Sequence, residues 1–137
     1  MNLEYKVEGG DFTSAGLASS QIKKILKQLN VDPAVIKRVV IALYEAEVNI
    51  VAHAYRGVIK AQIDGGGINL TLEDEGPGIP DGEMAMTPGF STASKAVREM
   101  GFGAGMGLPN ISENADDFKI DTIVGQGTTL RIGIKFR

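Results

Sequence analysis

A chain of 137 residues, 43% hydrophobic and 23% charged, suits one soluble domain large enough to fill a core without covalent staples. Seventeen acidic residues against fourteen basic ones leave a net charge of −3, which argues against a nucleic-acid surface and for a protein or small-molecule partner. The lack of cysteine rules out disulfides and thiolate metal sites, and with no secretory leader or apolar run of about 18 residues, a cytoplasmic protein without membrane contact is expected.

Residues 2–8, NLEYKVE, alternate apolar and polar as a half-buried strand does. Thr13 or Ser14 can cap a first helix running to about Asn30, with Leu17, Ile22, Ile25, Leu26 and Leu29 on one face. Asp32 followed by Pro33 is a strong start signal, a capping side chain before a proline whose missing N–H costs nothing in a first turn. This second helix is expected to reach about Tyr55 and to be the longest element. Two short strands, 58–64 and 68–74, follow, joined by Gly65-Gly66-Gly67 in a tight hairpin. From Gly76 to Gly105 the chain is rich in glycine and proline and reads as a long irregular lid, with a short helix around Ala93 to Met100. A third helix is expected from Met106 to about Ala115, then a closing hairpin of strands 117–124 and 128–136 around Gly125-Gln126-Gly127. Hairpins join most of the strands, so the fold class is an α/β two-layer sandwich with a mixed, mostly antiparallel sheet and three main helices on one face.

On the second helix, Ile36, Val39, Leu43, Ala46, Ile50 and Ala54 form one apolar face that must lie on the sheet. Glu45, Asn49 and His53 follow at i, i+4 and i+8, a slanting polar row at the margin of that face where side chains can look into a cleft. Asparagine is a mediocre helix former, so Asn49 in mid-helix suggests a use for a neutral oxygen ligand. A hard cation such as Mg²⁺ takes one or two protein oxygens and leaves its other positions to water and phosphate. Glu45, one turn earlier, is placed to act as a general base near a terminal phosphate. His53, the only histidine, reads equally well as a satisfied helix-end residue and as a support for the row.

Glycine is the unusual component, with 18 residues in clusters. In LTLEDEGPGIP, residues 70–80, a strand closes on Asp74, and Gly76 and Gly78 let the backbone turn sharply against a planar ligand, with Ile79 beside it. In MGFGAGMGLPN, residues 100–110, alternate glycines open directly into a helix. This run is neither a dinucleotide fingerprint nor a Walker loop, but free N–H groups at a helix start attract phosphate oxygens. Lys95, within the lid, is either a solvated charge or a phosphate contact made on closure.

These residues spell a known set. Glu45-Ala-Glu-Val-Asn49, Asp74-Glu-Gly76-Pro-Gly78, Gly103-Ala104-Gly105-Met106-Gly107-Leu108 and Gly127-Thr128-Thr129 resemble the boxes of the GHKL ATPase superfamily, in order and across nearly the whole chain. The small size, and EAEVNIVAHAY in particular, is similar to the anti-sigma-factor serine kinases and related switch proteins. The resemblance implies a Bergerat-type ATP-binding fold and the cofactors ATP and Mg²⁺. It implies that Glu45 is the base toward a substrate serine and that Asn49 binds Mg²⁺, with His53 supporting the row. It further implies that Asp74 receives the adenine amino group, that Gly76, Gly78 and Ile79 flank the base, and that Gly103 to Leu108 wrap the phosphates. Thr128 is implied to support Asp74 through water. The implied partners are a sigma factor and a small antagonist protein carrying the substrate serine, with a homodimer as the assembly.

Two positions depart from that pattern. Glu47 stands where relatives more often carry a small or apolar residue, and the helical wheel points it away from the cleft row, toward a partner surface. Pro109 interrupts the start of the third helix, where a first turn tolerates it. Beside the serine kinase stand an ATP-binding switch that phosphorylates nothing and a detached histidine-kinase catalytic module, whose phosphoacceptor would lie on another protein.

Overall fold

The computed structural model describes residues 1–78 and 107–137. Five strands form one sheet: β1 (Asn2–Glu8), β2 (Arg56–Ile63), β3 (Gly67–Glu75), β4 (Asp117–Ile123) and β5 (Gly127–Lys135). Their order is β1-β2-β3-β5-β4, and every neighbouring pair is antiparallel. Three helices are described: α1 (Leu17–Gln28), α2 (Pro33–His53) and α3 (Gly107–Asn114). The short helix expected near Ala93 lies outside the described residues.

The period of two along the strands explains the layering. Ile59, Ala61 and Ile63 of β2, Ile68, Leu70 and Leu72 of β3, and Leu130, Ile132 and Ile134 of β5 all point to one face and are buried. The alternate positions carry charges, and cross-strand pairs such as Arg56–Glu75 at 3.4 Å and Lys60–Glu73 at 3.6 Å decorate the outer face. Exposed pairs of this kind contribute about 0–1 kcal/mol each, so it is the inner face that holds the sheet. Helix α2 runs along it, flanked by α1 and α3. Its Val39, Ala42, Leu43, Ala46 and Ile50 have essentially no exposed surface. Truncating such a leucine or isoleucine costs about 2–5 kcal/mol in a packed core.

Local signals account for most element ends. The Asp32 carboxylate accepts from the Ala34 amide at 2.9 Å, the cap that the Asp-Pro start announces. In the β2–β3 turn, Asp64 Oδ1 accepts from the amides of Gly66 at 2.7 Å and Gly67 at 3.0 Å. Pro109 sits in the first turn of α3, as its missing N–H requires.

Helix α1 differs from its expectation. It begins at Leu17, behind Gly16 in a left-handed conformation, with no side chain of its own as a cap. Thr13 turns to Asp11 instead, its hydroxyl donating at 2.9 Å. Leu17 and Leu29, expected on the buried face, are 57% and 48% exposed, so the inner face is carried by Ala18, Ile22 and Leu26.

The missing cap comes from α2. Glu47 is not on a partner surface: it is 2% exposed and its carboxylate faces the N-terminus of α1. Oε2 accepts from the amides of Gly16 at 3.0 Å and Ala18 at 3.3 Å, while Oε1 accepts from the Ser19 amide at 3.3 Å and hydroxyl at 2.9 Å. An anion is favoured there by the free N–H groups and by the helix dipole. A helix wheel cannot reveal this, because it shows which way a side chain leaves its own helix but not which element lies opposite.

Candidate functional site

The C-terminal half of α2 carries the polar row. Glu45, Asn49 and His53 are all half-buried, at the edge of the face where Ala42, Ala46 and Ile50 enter the core. Eight residues of helix separate the ends of the row by about 12 Å along the axis.

At the Glu45 end the start of α3 closes in. A Cβ placed on Gly107 would lie 3.4 Å from Glu45 Oε2 and 4.0 Å from the Glu45 carbonyl. The next residue, Leu108, is 7% exposed and belongs to the core, so it anchors the loop end and has only its backbone to offer a ligand.

At the His53 end the loop after β3 closes in. A Cβ on Gly76 would meet the Cα of Ala54 at 2.9 Å and the His53 carbonyl at 3.5 Å. The Tyr55 amide donates to the Glu75 carbonyl at 2.8 Å, which seats the C-terminus of α2 on β3. Gly78 has φ +76°, and its own position crowds the Ile123 carbonyl.

Asp74 sits beside this loop, half-buried near the end of β3. Its Oδ1 accepts from the Thr128 amide at 2.9 Å. Thr128 is itself buried, and its hydroxyl shares a hydrogen bond with that of Thr122 at 3.0 Å, so Thr128 reaches Asp74 through its main chain. Gly127 makes the approach possible: a Cβ there would lie 2.1 Å from the Asp74 carbonyl oxygen. Two further backbone bonds clip the β4–β5 turn to the same loop, Gly76 amide to Gln126 carbonyl at 3.0 Å and Gly125 amide to Pro77 carbonyl at 2.8 Å. Burial pushes the Asp74 carboxyl above the ordinary aspartate range, and the Thr128 amide works against that shift. Among the described residues no donor is paired with Oδ2, which leaves a fixed acceptor at the sheet end.

The described residues thus gather Glu45, Asn49, His53, Asp74, Gly76, Gly78, Gly107, Leu108 and Thr128 around one end of the helix–sheet sandwich. Ile79, Lys95, Gly103, Ala104, Gly105 and Met106 lie outside the described residues. Among the described residues no three His, Cys, Asp or Glu side chains converge on a metal position. The donors that α2 does offer, one amide oxygen and one carboxylate a turn apart, suit an ion that keeps its remaining positions for phosphate and water. Thr122 and Gln126 escaped the sequence reading because a strand threonine and a turn glutamine carry no local signal. Only the pairing of β4 with β5 brings the Thr122 hydroxyl to that of Thr128 and the Gln126 carbonyl to the Gly76 amide.

Known proteins point the same way. The family profile described as histidine kinase-like ATPase domain matches residues 11–134. The serine/threonine-protein kinase RsbT of Bacillus subtilis (strain 168) is 33% identical over 125 residues, 88% of this chain and 86% of that protein. The anti-sigma F factor of Thermoanaerobacter sp. (strain X514) is 35% identical over 96 residues, 66% of this chain and 64% of its own length. That of Geobacillus stearothermophilus is 34% identical over 92 residues, covering 63% and 60%. With an acceptor clamped at the sheet end, a polar row on the central helix and a match across nearly its whole length, the chain belongs to the histidine kinase-like ATPase domain family.

Proposed function

We propose that the chain is an ATP-dependent protein-serine kinase that acts on a regulatory protein, in the manner its relatives' names describe for a serine/threonine kinase and an anti-sigma factor. The observation that carries this reading is the pair of close approaches at the two ends of the α2 row: Gly107 against Glu45, and Gly76, two residues after the Thr128-held Asp74, against Ala54 and the His53 carbonyl. A nucleotide laid along the row places its purine at Asp74 and its phosphates between Asn49 and the start of α3.

In this arrangement Asp74 Oδ2 accepts the exocyclic amine of adenine, and Gly76 and Gly78, with Ile79, leave room for the flat ring. Gly103 to Leu108 supply backbone N–H groups to the phosphates, and Lys95 adds a positive charge. Asn49 would hold Mg²⁺ through its side-chain oxygen, and the ion would supply charge neutralisation for the phosphate oxygens. Glu45 takes the proton from a substrate serine hydroxyl as the serine oxygen bonds to the γ-phosphorus and the bond to ADP breaks. His53 supports the row from its far end. The serine belongs to an antagonist protein, the controlled partner is a sigma factor, and the working form is a cytoplasmic homodimer. Among the described residues no helix is long and apolar enough to cross a membrane.

Incubation with γ-labelled ATP, Mg²⁺ and a purified candidate antagonist should move label onto a serine. Glu45→Gln should retain nucleotide affinity within about threefold and lower transfer by roughly a hundredfold or more, the usual reach of a general base. Normal transfer by that variant would remove Glu45 from its role, and nucleotide binding without transfer to any partner would leave a switch.

A further inference from the structure

Between α1 and α2, away from the polar row, lies a groove of about 620 Å³. Its floor is aliphatic, with Val31, Ile36 and Val40 among its lining, and Lys23 and Lys27 of α1 and Lys37 of α2 stand at its rim. All three lysines are exposed. No acidic side chain lines the groove, in a molecule whose net charge is −3.

Among the described residues, carboxylate partners are held by Arg38 with Asp116, Arg56 with Glu75, Lys60 with Glu73 and Arg131 with Asp121. Among the described residues none of Lys23, Lys27 and Lys37 has one. The nearest acid in sequence, Asp32, is occupied as the cap of α2.

We propose that this groove is a docking surface for an acidic amphipathic helix of a protein partner. An apolar ridge at i, i+3, i+4 and i+7 would seat on the aliphatic floor, and flanking carboxylates would meet the three lysines. Such charges raise the association rate and select the partner's orientation more than they raise affinity. The groove lies on the N-terminal half of α2 and the row on its C-terminal half, so a partner can dock without covering the nucleotide. The inference takes from the proposed function only that the target is a protein.

The probe is a fluorescein-labelled helical peptide of about 18 residues with a leucine ridge flanked by glutamates, beside a control whose glutamates are glutamines. Fluorescence anisotropy should show the glutamate peptide binding in a salt-sensitive way, with the control weaker by roughly tenfold. Combining Lys23→Glu, Lys27→Glu and Lys37→Glu should reduce binding of the glutamate peptide by roughly tenfold or more. Calorimetric titration with Mg²⁺-ATP should be unchanged in that variant, and if it is not, Lys23→Gln with Lys27→Gln takes its place. Equal binding of the two peptides, no binding of either, or normal binding by the lysine variants would overturn the proposal. So would attachment through the same lysines to phosphatidylglycerol vesicles but to neither peptide. None of these outcomes bears on the nucleotide titration, which tests the kinase reading separately.

Discussion

Glu47 holds a carboxylate against four donors with 2% of its surface exposed, and each partner is an N–H or O–H that would otherwise be buried unpaired. Glu47→Ala removes the acceptor and leaves those donors behind, so a loss of about 2–4 kcal/mol is expected in denaturant unfolding. Glu47→Gln keeps one oxygen but turns an NH₂ group toward donors, and should lose about 1–3 kcal/mol. If both variants unfold at the wild-type midpoint, the cap is not structural. Asp74 presents the opposite case, because burial raises its folded-state pKa above the unfolded value of 3.8. The folded chain then holds the extra proton. The stability this group contributes is present below pH 3.8 and is lost as pH rises through the raised value. Asp74→Asn keeps an oxygen for the Thr128 amide and removes the charge. Its stability relative to wild type should therefore improve as pH rises across that window, measured by thermal melts at several pH values. The same variant should lose nucleotide binding, since its amide places an NH₂ group where the purine amine needs an acceptor. Unimpaired ATP binding by Asp74→Asn would remove Asp74 from the purine site.

At the scale of elements, the β4–β5 hairpin is a structural part of the site. It fastens to the loop after β3 through the Gln126 carbonyl and the Gly125 amide, and it delivers the Thr128 amide to Asp74. Gly127 is the hinge of this arrangement, with φ +152° and no space for a Cβ beside the Asp74 carbonyl. Gly127→Ala should cost about 2–3 kcal/mol, measured by chemical denaturation, because backbone must move and not merely a side-chain tip. It should also weaken nucleotide binding, since Asp74 loses the amide that fixes it. Gly65→Ala is the control: it has open space at its Cβ and should do neither. Helix α3 is tied to the rest by Arg38, which donates to the Asn114 carbonyl at 3.1 Å and pairs with Asp116 at 3.1 Å. The link from the start of α3 to Glu45 therefore has a counterpart at its other end.

For the molecule as a whole, the candidate site lies where α2, the β3 loop, the last hairpin and α3 meet, so a ligand there would bridge all four. Binding to the native state alone stabilises it by about 2.7 kcal/mol at a hundredfold excess over Kd. In a domain of this size that corresponds to a rise of about 6–15 °C in Tm. Scanning calorimetry with Mg²⁺-ATP should show such a rise for the wild type and for Glu45→Gln, and none for Asp74→Asn. A flat response in the wild type would reject the nucleotide site altogether.

The sequence by itself determined the order of the described elements and the inward face of α2, because these are encoded by short-range patterns: period two in strands, period 3.6 in α2, Asp-Pro at its start, and glycines where backbone must turn. It also offered Glu45, Asn49, Asp74 and Gly76 as candidates, through helical spacing, the glycine turn and the family resemblance together. Only the tertiary structure decided how α1 begins, with Glu47 supplying from another helix the cap that Thr13 and Ser14 do not. Only it decided that Thr128 holds Asp74 through an amide, and that Lys23, Lys27 and Lys37 share one unpaired groove. Each of these depends on which element lies opposite a side chain in space, and local sequence carries no record of that distance.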